Sequence, residues 1–288
     1  MSRCLPYHHP DNDRLSIEFV TDERSEAVEK VDELDSDEIG LIENFNLNQE
    51  VYIVYAGQKV LDVPSDVELE IQSEVEEMEK QNQIIATRIL GLFEAIVEEK
   101  YREEGERLAA YKELQIDKVP DTLDRVSWND SVAVAGGELL SSLLVTHALP
   151  NANHRTSLAM MSLYFQAISK SFEMPTTSTD NYDWKNWVDE YIVNSKRLLT
   201  VRRNVPRFQY LREFGCTTVE RKGGIRIELS NYDLSLGHWD AMDHYADAHY
   251  DLSIDFAHEV LEKAGTLELR NGDPLSKEKF ARELQKMK

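Results

Sequence analysis

Four side chains able to do chemistry fall within nine residues: His147, Asn151, Asn153 and Arg155. Histidine is a base near neutral pH. Pro150-Asn151-Ala152-Asn153 reads as a tight turn that starts a helix. Its small residues leave main-chain N–H groups at that helix N-terminus, where they and the helix dipole suit an anion such as phosphate. Arg155 adds a planar, permanently charged fork that matches phosphate oxygens. Base, anion nest and guanidinium together suit phosphoryl-group transfer. The same residues also read as a polar plug in a helix–turn–helix joint.

Two apolar helical patterns must position this turn. Val132–Val145 precedes it, with Leu139, Leu140, Leu143 and Leu144 at helical spacing. Thr156–Ile168 follows, apolar on nearly every side through Leu158, Met160, Met161, Leu163, Tyr164, Phe165 and Ile168. A helix that is apolar all round is a central, buried one.

The string His147–Thr156 resembles the core motif of the Fic/Doc (Fido) family, H-x-F-x-(D/E/N)-(G/A)-N-(G/K)-R-(T). His147, Asn153 and Arg155 match its least replaceable letters, and Ala152 and Thr156 fit. Thr156-Ser157-Leu158-Ala159 is similar to the T-A-L-(A/N) of the Doc branch; Leu158 stands where the AMP-transferring branch has a second Arg. The resemblance covers about residues 127–200. It implies a mainly α fold, a Fic/Doc-type helical core with one or two β-hairpins and flanking α+β segments.

By the same resemblance His147 is the general base toward a protein Ser, Thr or Tyr hydroxyl, with Arg155 and Asn151 beside it in catalysis. Ala152, Asn153, His154, Arg155 and Thr156 hold the phosphates of ATP or another NTP, and Arg155 offsets developing charge. The group moved is AMP in a nucleotidyltransferase or the terminal phosphate in a protein kinase. Asn151 replaces the usual acidic ligand of Mg²⁺, and an amide oxygen is a weaker ligand for a hard cation. Leu149 replaces the usual Phe, and His154 replaces Gly or Lys. The alternative is a catalytically degenerate nucleotide- or protein-binding module. A toxin-like role beside an antitoxin also follows from the Doc resemblance.

Composition bounds the rest. Hydrophobic residues make up 41% of the 288, ordinary for one or two globular domains. Against 32 basic residues stand 54 acidic ones, a net charge of −22 that opposes binding to nucleic acid or an anionic membrane. The acidity is similar to that of salt-in halophiles. Two cysteines, Cys4 and Cys216, imply no disulfide framework and fit a reducing cytoplasm. Neither a signal-peptide pattern nor an apolar run long enough to span a membrane is read.

Three segments are expected: an N-terminal α+β segment over 1–64, the helical core over 65–205, and a hairpin–helix segment over 206–288. Residues 1–14 read as loose, Leu15–Val20 as a strand, Ser25–Leu34 as a helix capped by Ser25, and Ser36–Phe45 as a short helix. Val51–Tyr55 and Lys59–Val63 read as a hairpin around Gly57, in the place of the family's flap. Ser65–Leu114 is helical with an apolar stripe, core or homodimer seam, broken at Gly91 or Gly105. Val119–Asp130 is a connector, and Ser127-Trp128 opens the motif's first helix. Pro175–Asn181 is a Thr/Ser-rich loop beside the site, and Asp183–Leu199 is an amphipathic helix burying Trp184 and Trp187. Arg197, Arg202, Arg203 and Arg207 are a basic cluster at that helix end, solvated or facing phosphates or an acidic partner. Thr217–Glu220 and Ile225–Leu229 form a second hairpin, Asn231–Ala264 is helical, and a final helix starts at Ser276. The histidines His238, His244, His249 and His258 do not share one helix face and read as no metal site.

Overall fold

The structure is a computed structural model that describes residues 3–59, 67–105, 110–179 and 183–287, apart from the side chains of 67–70 and 104. As expected, it is mainly α with small sheets. The chain divides into two compact units, Met1–Leu61 with Val193–Asp247, and Asp62–Ile192 with Ala248–Lys288. The first thus draws together two segments that are far apart in sequence.

The first unit holds two sheets. One has strand order β1-β6-β7: β1 (Cys4–Pro6) runs parallel to β6 (Thr218–Arg221), which pairs antiparallel with β7 (Ile225–Glu228). The β6–β7 hairpin lies where expected, and Gly223 and Gly224 turn it at φ +77 and +70, a backbone region open to glycine. The other sheet is antiparallel in the order β2-β3-β5-β4, with β2 (His8–His9), β3 (Asn12–Thr21), β4 (Glu38–Asn46) and β5 (Glu50–Gln58). Helix α1 (Arg24–Asp32) links β3 to β4. The core joins Leu15, Ile17, Ile53 and Tyr55 of the sheet to Val201, Val205, Phe208 and Leu211. Those last four recur at helical spacing along α7 (Asn186–Glu213).

Several expectations here need correction. Of the expected loose stretch 1–14, the described residues 3–14 are not loose, because Cys4–Pro6 and His8–His9 are hydrogen-bonded strands. Ser36–Phe45 is no helix: β4 pairs with β5 from Glu38↔Gln58 to Asn46↔Glu50. The hairpin therefore turns at Leu47–Gln49 rather than around Gly57, which sits inside a strand where a Cβ would come 2.9 Å from the Arg14 carbonyl oxygen. The expected second strand, Lys59–Val63, extends beyond the described residues. Glu23 rather than Ser25 precedes α1.

The second unit is helical. Helix α2 (Val67–Glu77) breaks from α3 (Lys80–Glu104) at Met78-Glu79, so Gly91 does not interrupt the stretch, while Gly105 ends it at φ 73. The connector contains a short helix, α4 (Val119–Asp124), with Pro120 in its first turn. Ser131, not Ser127, caps α5 (Val132–Thr146), its hydroxyl accepting from the Val134 N–H at 3.4 Å. Then come α6 (Asn153–Ile168), the start of α7, the end of α8 (His238–Lys263), and α9 (Lys277–Leu284), capped by Ser276 as expected. Helix α5 is buried along nearly its whole length, as its apolar sequence demands. Against α8 it packs backbone to backbone: a Cβ on Gly137 would stand 2.5 Å from the Ile254 Cα.

Candidate functional site

The turn between α5 and α6 is built by backbone strain and polar closure. His147 ends α5 in the left-handed region at φ 53, ψ 48, its N–H still donating to the Leu143 carbonyl at 3.0 Å. Ala152 precedes α6 at φ 54, ψ 16. Among the described residues these are the two non-glycine positions with positive φ. Such strain persists where surrounding structure over-determines it, and it concentrates at functional sites.

Asn153 closes the turn. Its side chain is buried, with Oδ1 accepting from the Leu149 N–H at 3.2 Å and Nδ2 donating to the Leu149 and Asn151 carbonyls at 2.9 and 3.4 Å. Asn151 Oδ1 accepts from the Ala152 N–H at 2.6 Å. The segment at 111–115 runs alongside: Lys112 Nζ donates to the His147 carbonyl, Gln115 N–H to Ala148 at 2.9 Å and Tyr111 N–H to Pro150 at 3.2 Å. Thr156 N–H takes the Ala152 carbonyl at 3.0 Å. Every main-chain carbonyl from His147 to Ala152 thus accepts a hydrogen bond from a protein donor.

Arg155 lies over the face of Trp184, 4.2 Å from ring centroid to guanidinium carbon, and donates to Ser178 Oγ at 2.8 Å. Ser178 and Trp184 are bridged to each other. The Thr/Ser-rich loop does lie beside the motif, then, and Trp184 precedes α7 rather than forming part of it. His147 is half-buried with Nδ1 inside. Thr156 is buried, and its Oγ1 makes no hydrogen bond.

The structure therefore gathers His147, Asn151, Ala152, Asn153, His154, Arg155 and Thr156 into one turn and the first helical turn after it. Sequence reasoning missed Lys112, which it placed in the helical stretch Ser65–Leu114, and the pairing of Arg155 with Trp184, which it took for core. No spacing signal links those residues to the motif.

Asn151 does not fit Mg²⁺: its carboxamide oxygen is engaged in the turn, and a neutral amide suits a hard cation poorly. Among the described residues no group of three His, Cys, Asp or Glu side chains is placed to hold a metal ion. His249 is fully buried and bonded through Nδ1 to Ser141 Oγ at 2.7 Å. The four arginines of α7 are not at its end, since that helix runs on to Glu213 past Pro206. Arg197, Arg202 and Arg207 donate to the main-chain carbonyls of Arg226, Met242 and Glu18. Both cysteines are free, and burial pushes the Cys216 thiol up to about 11. No helix among the described residues is long and apolar enough to cross a membrane.

No curated protein and no solved structure matches the chain. A family model does match it from residue 1 to 288, and the protein belongs to that family, one of unknown function designated DUF8172.

Proposed function

We propose that the α5–α6 turn is a phosphate-binding site of a Fic/Doc-like transferase that moves AMP from ATP, with release of pyrophosphate, or the terminal phosphate of an NTP, with release of NDP, onto a protein hydroxyl. The carbonyl accounting carries this reading. Each carbonyl oxygen that could repel an anion at the start of α6 is spent on a protein donor, while the helix dipole and Arg155 favour negative charge there. Thr156 adds a buried hydroxyl in want of a partner. In this reading His147 takes the proton from the attacking hydroxyl, and Arg155, its plane set by Trp184, faces the phosphate.

The test is incubation with cell extract and ATP labelled at the α or the γ position, with and without Mg²⁺. Label on a protein is expected from one position only, and α against γ separates AMP from phosphate transfer. No label from either, or undiminished label with His147→Ala, defeats the proposal.

A second reading is a non-catalytic nucleotide- or protein-binding module. It is favoured by the engagement of Asn151 and Asn153 in the turn and of Arg155 with Ser178. Under it ATP binds without transfer, Arg155→Gln abolishes that binding, and His147→Ala leaves it unchanged.

A further inference from the structure

A second concentration of positive charge lies in the first unit, away from the motif in sequence. Tyr7 joins β1 to β2, and its ring lies 4.9 Å from that of His8, the first residue of β2. Arg221 ends β6 with its guanidinium 5.6 Å from the Tyr7 ring centroid and one nitrogen on the Lys196 carbonyl at 3.0 Å. Its Nε is buried and makes no hydrogen bond. Arg203, on α7, lies within electrostatic reach of both Tyr7 and Arg221. Its side chain is exposed, so the cluster opens to water.

Two neighbouring cations have carboxylates: Arg207 pairs with Glu18 at 2.9 Å, and Lys222 with Asp13 at 3.4 Å. Arg203 and Arg221 make no ion pair among the described residues. In a chain with 54 acidic residues, that is not for want of carboxylates. Tyr7 Oη accepts from Asn204 Nδ2 at 3.1 Å, which leaves its own proton to donate. Neither ring nitrogen of His8 completes a hydrogen bond, though the Leu15 main chain is near enough to favour the protonated ring. The buried Nε of Arg221 without an acceptor and a buried imidazole without partners each cost free energy. One bound anion would relieve both.

We propose that Arg203, Arg221, Tyr7 and His8 form an oxyanion site that takes a phosphate group. Two guanidinium groups and a phenol O–H supply donors only, as a tetrahedral oxyanion requires. Free phosphate and the phosphoryl group of a monoester share this chemistry.

Titration calorimetry with inorganic phosphate and with AMP, at ionic strength held constant by chloride, tests the site. Saturable binding to the whole chain is expected, weakened at least tenfold by Arg203→Gln and by Arg221→Gln and unchanged by Arg102→Gln, a surface variant outside both sites. AMP binding tenfold tighter than phosphate assigns a monoester, and equal affinity assigns free phosphate. Circular dichroism checks that Arg221→Gln folds, and exposed Arg203 gives an independent variant. No saturable binding of either ligand, or binding that Arg203→Gln leaves intact, overturns the proposal. Binding lost in Arg155→Gln alone also overturns it and moves the ligand to the α5–α6 turn.

Discussion

An L-residue held at positive φ carries a conformational cost that glycine avoids, and Ala152, at φ 54, carries it. Ala152→Gly should raise stability by about 0.5–1 kcal/mol, the strain relieved less the extra entropy of a glycine in the unfolded chain. Asn153 works in the opposite direction. Its three hydrogen bonds close a buried turn, so Asn153→Ala strands the Leu149 N–H and carbonyl and should cost about 2–4 kcal/mol. Urea denaturation of both variants checks the pair; equal midpoints would mean that the turn is not held as described. His8 adds a pH prediction. Burial, then Arg221 and Lys222, lower its pKa from 6.5 to about 4. The unfolded chain thus binds more protons than the folded one between about pH 4 and 6.5, and this contribution is lost as pH falls through that window. It amounts to at most about 3 kcal/mol. In His8→Gln the slope of stability against pH between 4 and 6.5 should shrink, and an unchanged slope would place the acid sensitivity elsewhere.

At the scale of elements, two glycines separate packing from propensity. A Cβ at Gly137 would lie 2.5 and 2.8 Å from the main-chain Cα and N of Ile254 and 2.9 Å from the Ser253 oxygen. Backbone cannot rotate aside, so Gly137→Ala must push α5 from α8 and should cost about 3 kcal/mol. Gly91 sits in the middle of α3 with nothing within 4 Å of a Cβ, so Gly91→Ala should stabilise by about 1 kcal/mol. Thermal melts that moved in the same direction would refute this packing of α5. These elements also mark what could be read from sequence. Helices α5 and α6 were legible because their apolar residues outnumber any polar stripe, and the β6–β7 hairpin because Gly223-Gly224 supplies the positive φ its turn needs. Strand β4 was not. It is an edge strand with Ile39 and Leu41 about 40% exposed, so its apolar residues do not mark a core face, and Ile39, Ile42 and Phe45 imitate helical spacing. The length of α7 was hidden by Pro206 and by arginines whose partners are carbonyls far along the chain. The motif's residues were legible as a cluster, but its supports, Lys112 and Trp184, come from outside it, where no local pattern could announce them.

For the whole molecule the governing quantity is charge: 54 acidic residues less 32 basic ones leave −22. Exposed ion pairs such as Arg102 with Glu98 and Arg226 with Glu228, which span 4.0 and 3.4 Å, do little to offset it. The excess carboxylates therefore repel one another across the folded surface, more closely than in the expanded unfolded chain. Salt screens that repulsion over about 10 Å at 0.1 M and about 3 Å at 1 M. Urea midpoints should then rise as KCl goes from tenths molar to molar, by on the order of 2 kcal/mol in stability, with the slope against urea unchanged. Repeating the series near pH 4.7, where the sequence carries no net charge, supplies the control, because a salt effect that acts through self-repulsion must largely vanish there. Midpoints that do not depend on KCl at neutral pH would mean that the carboxylates are solvated singly, and the acidity would then have no bearing on a high-salt habitat.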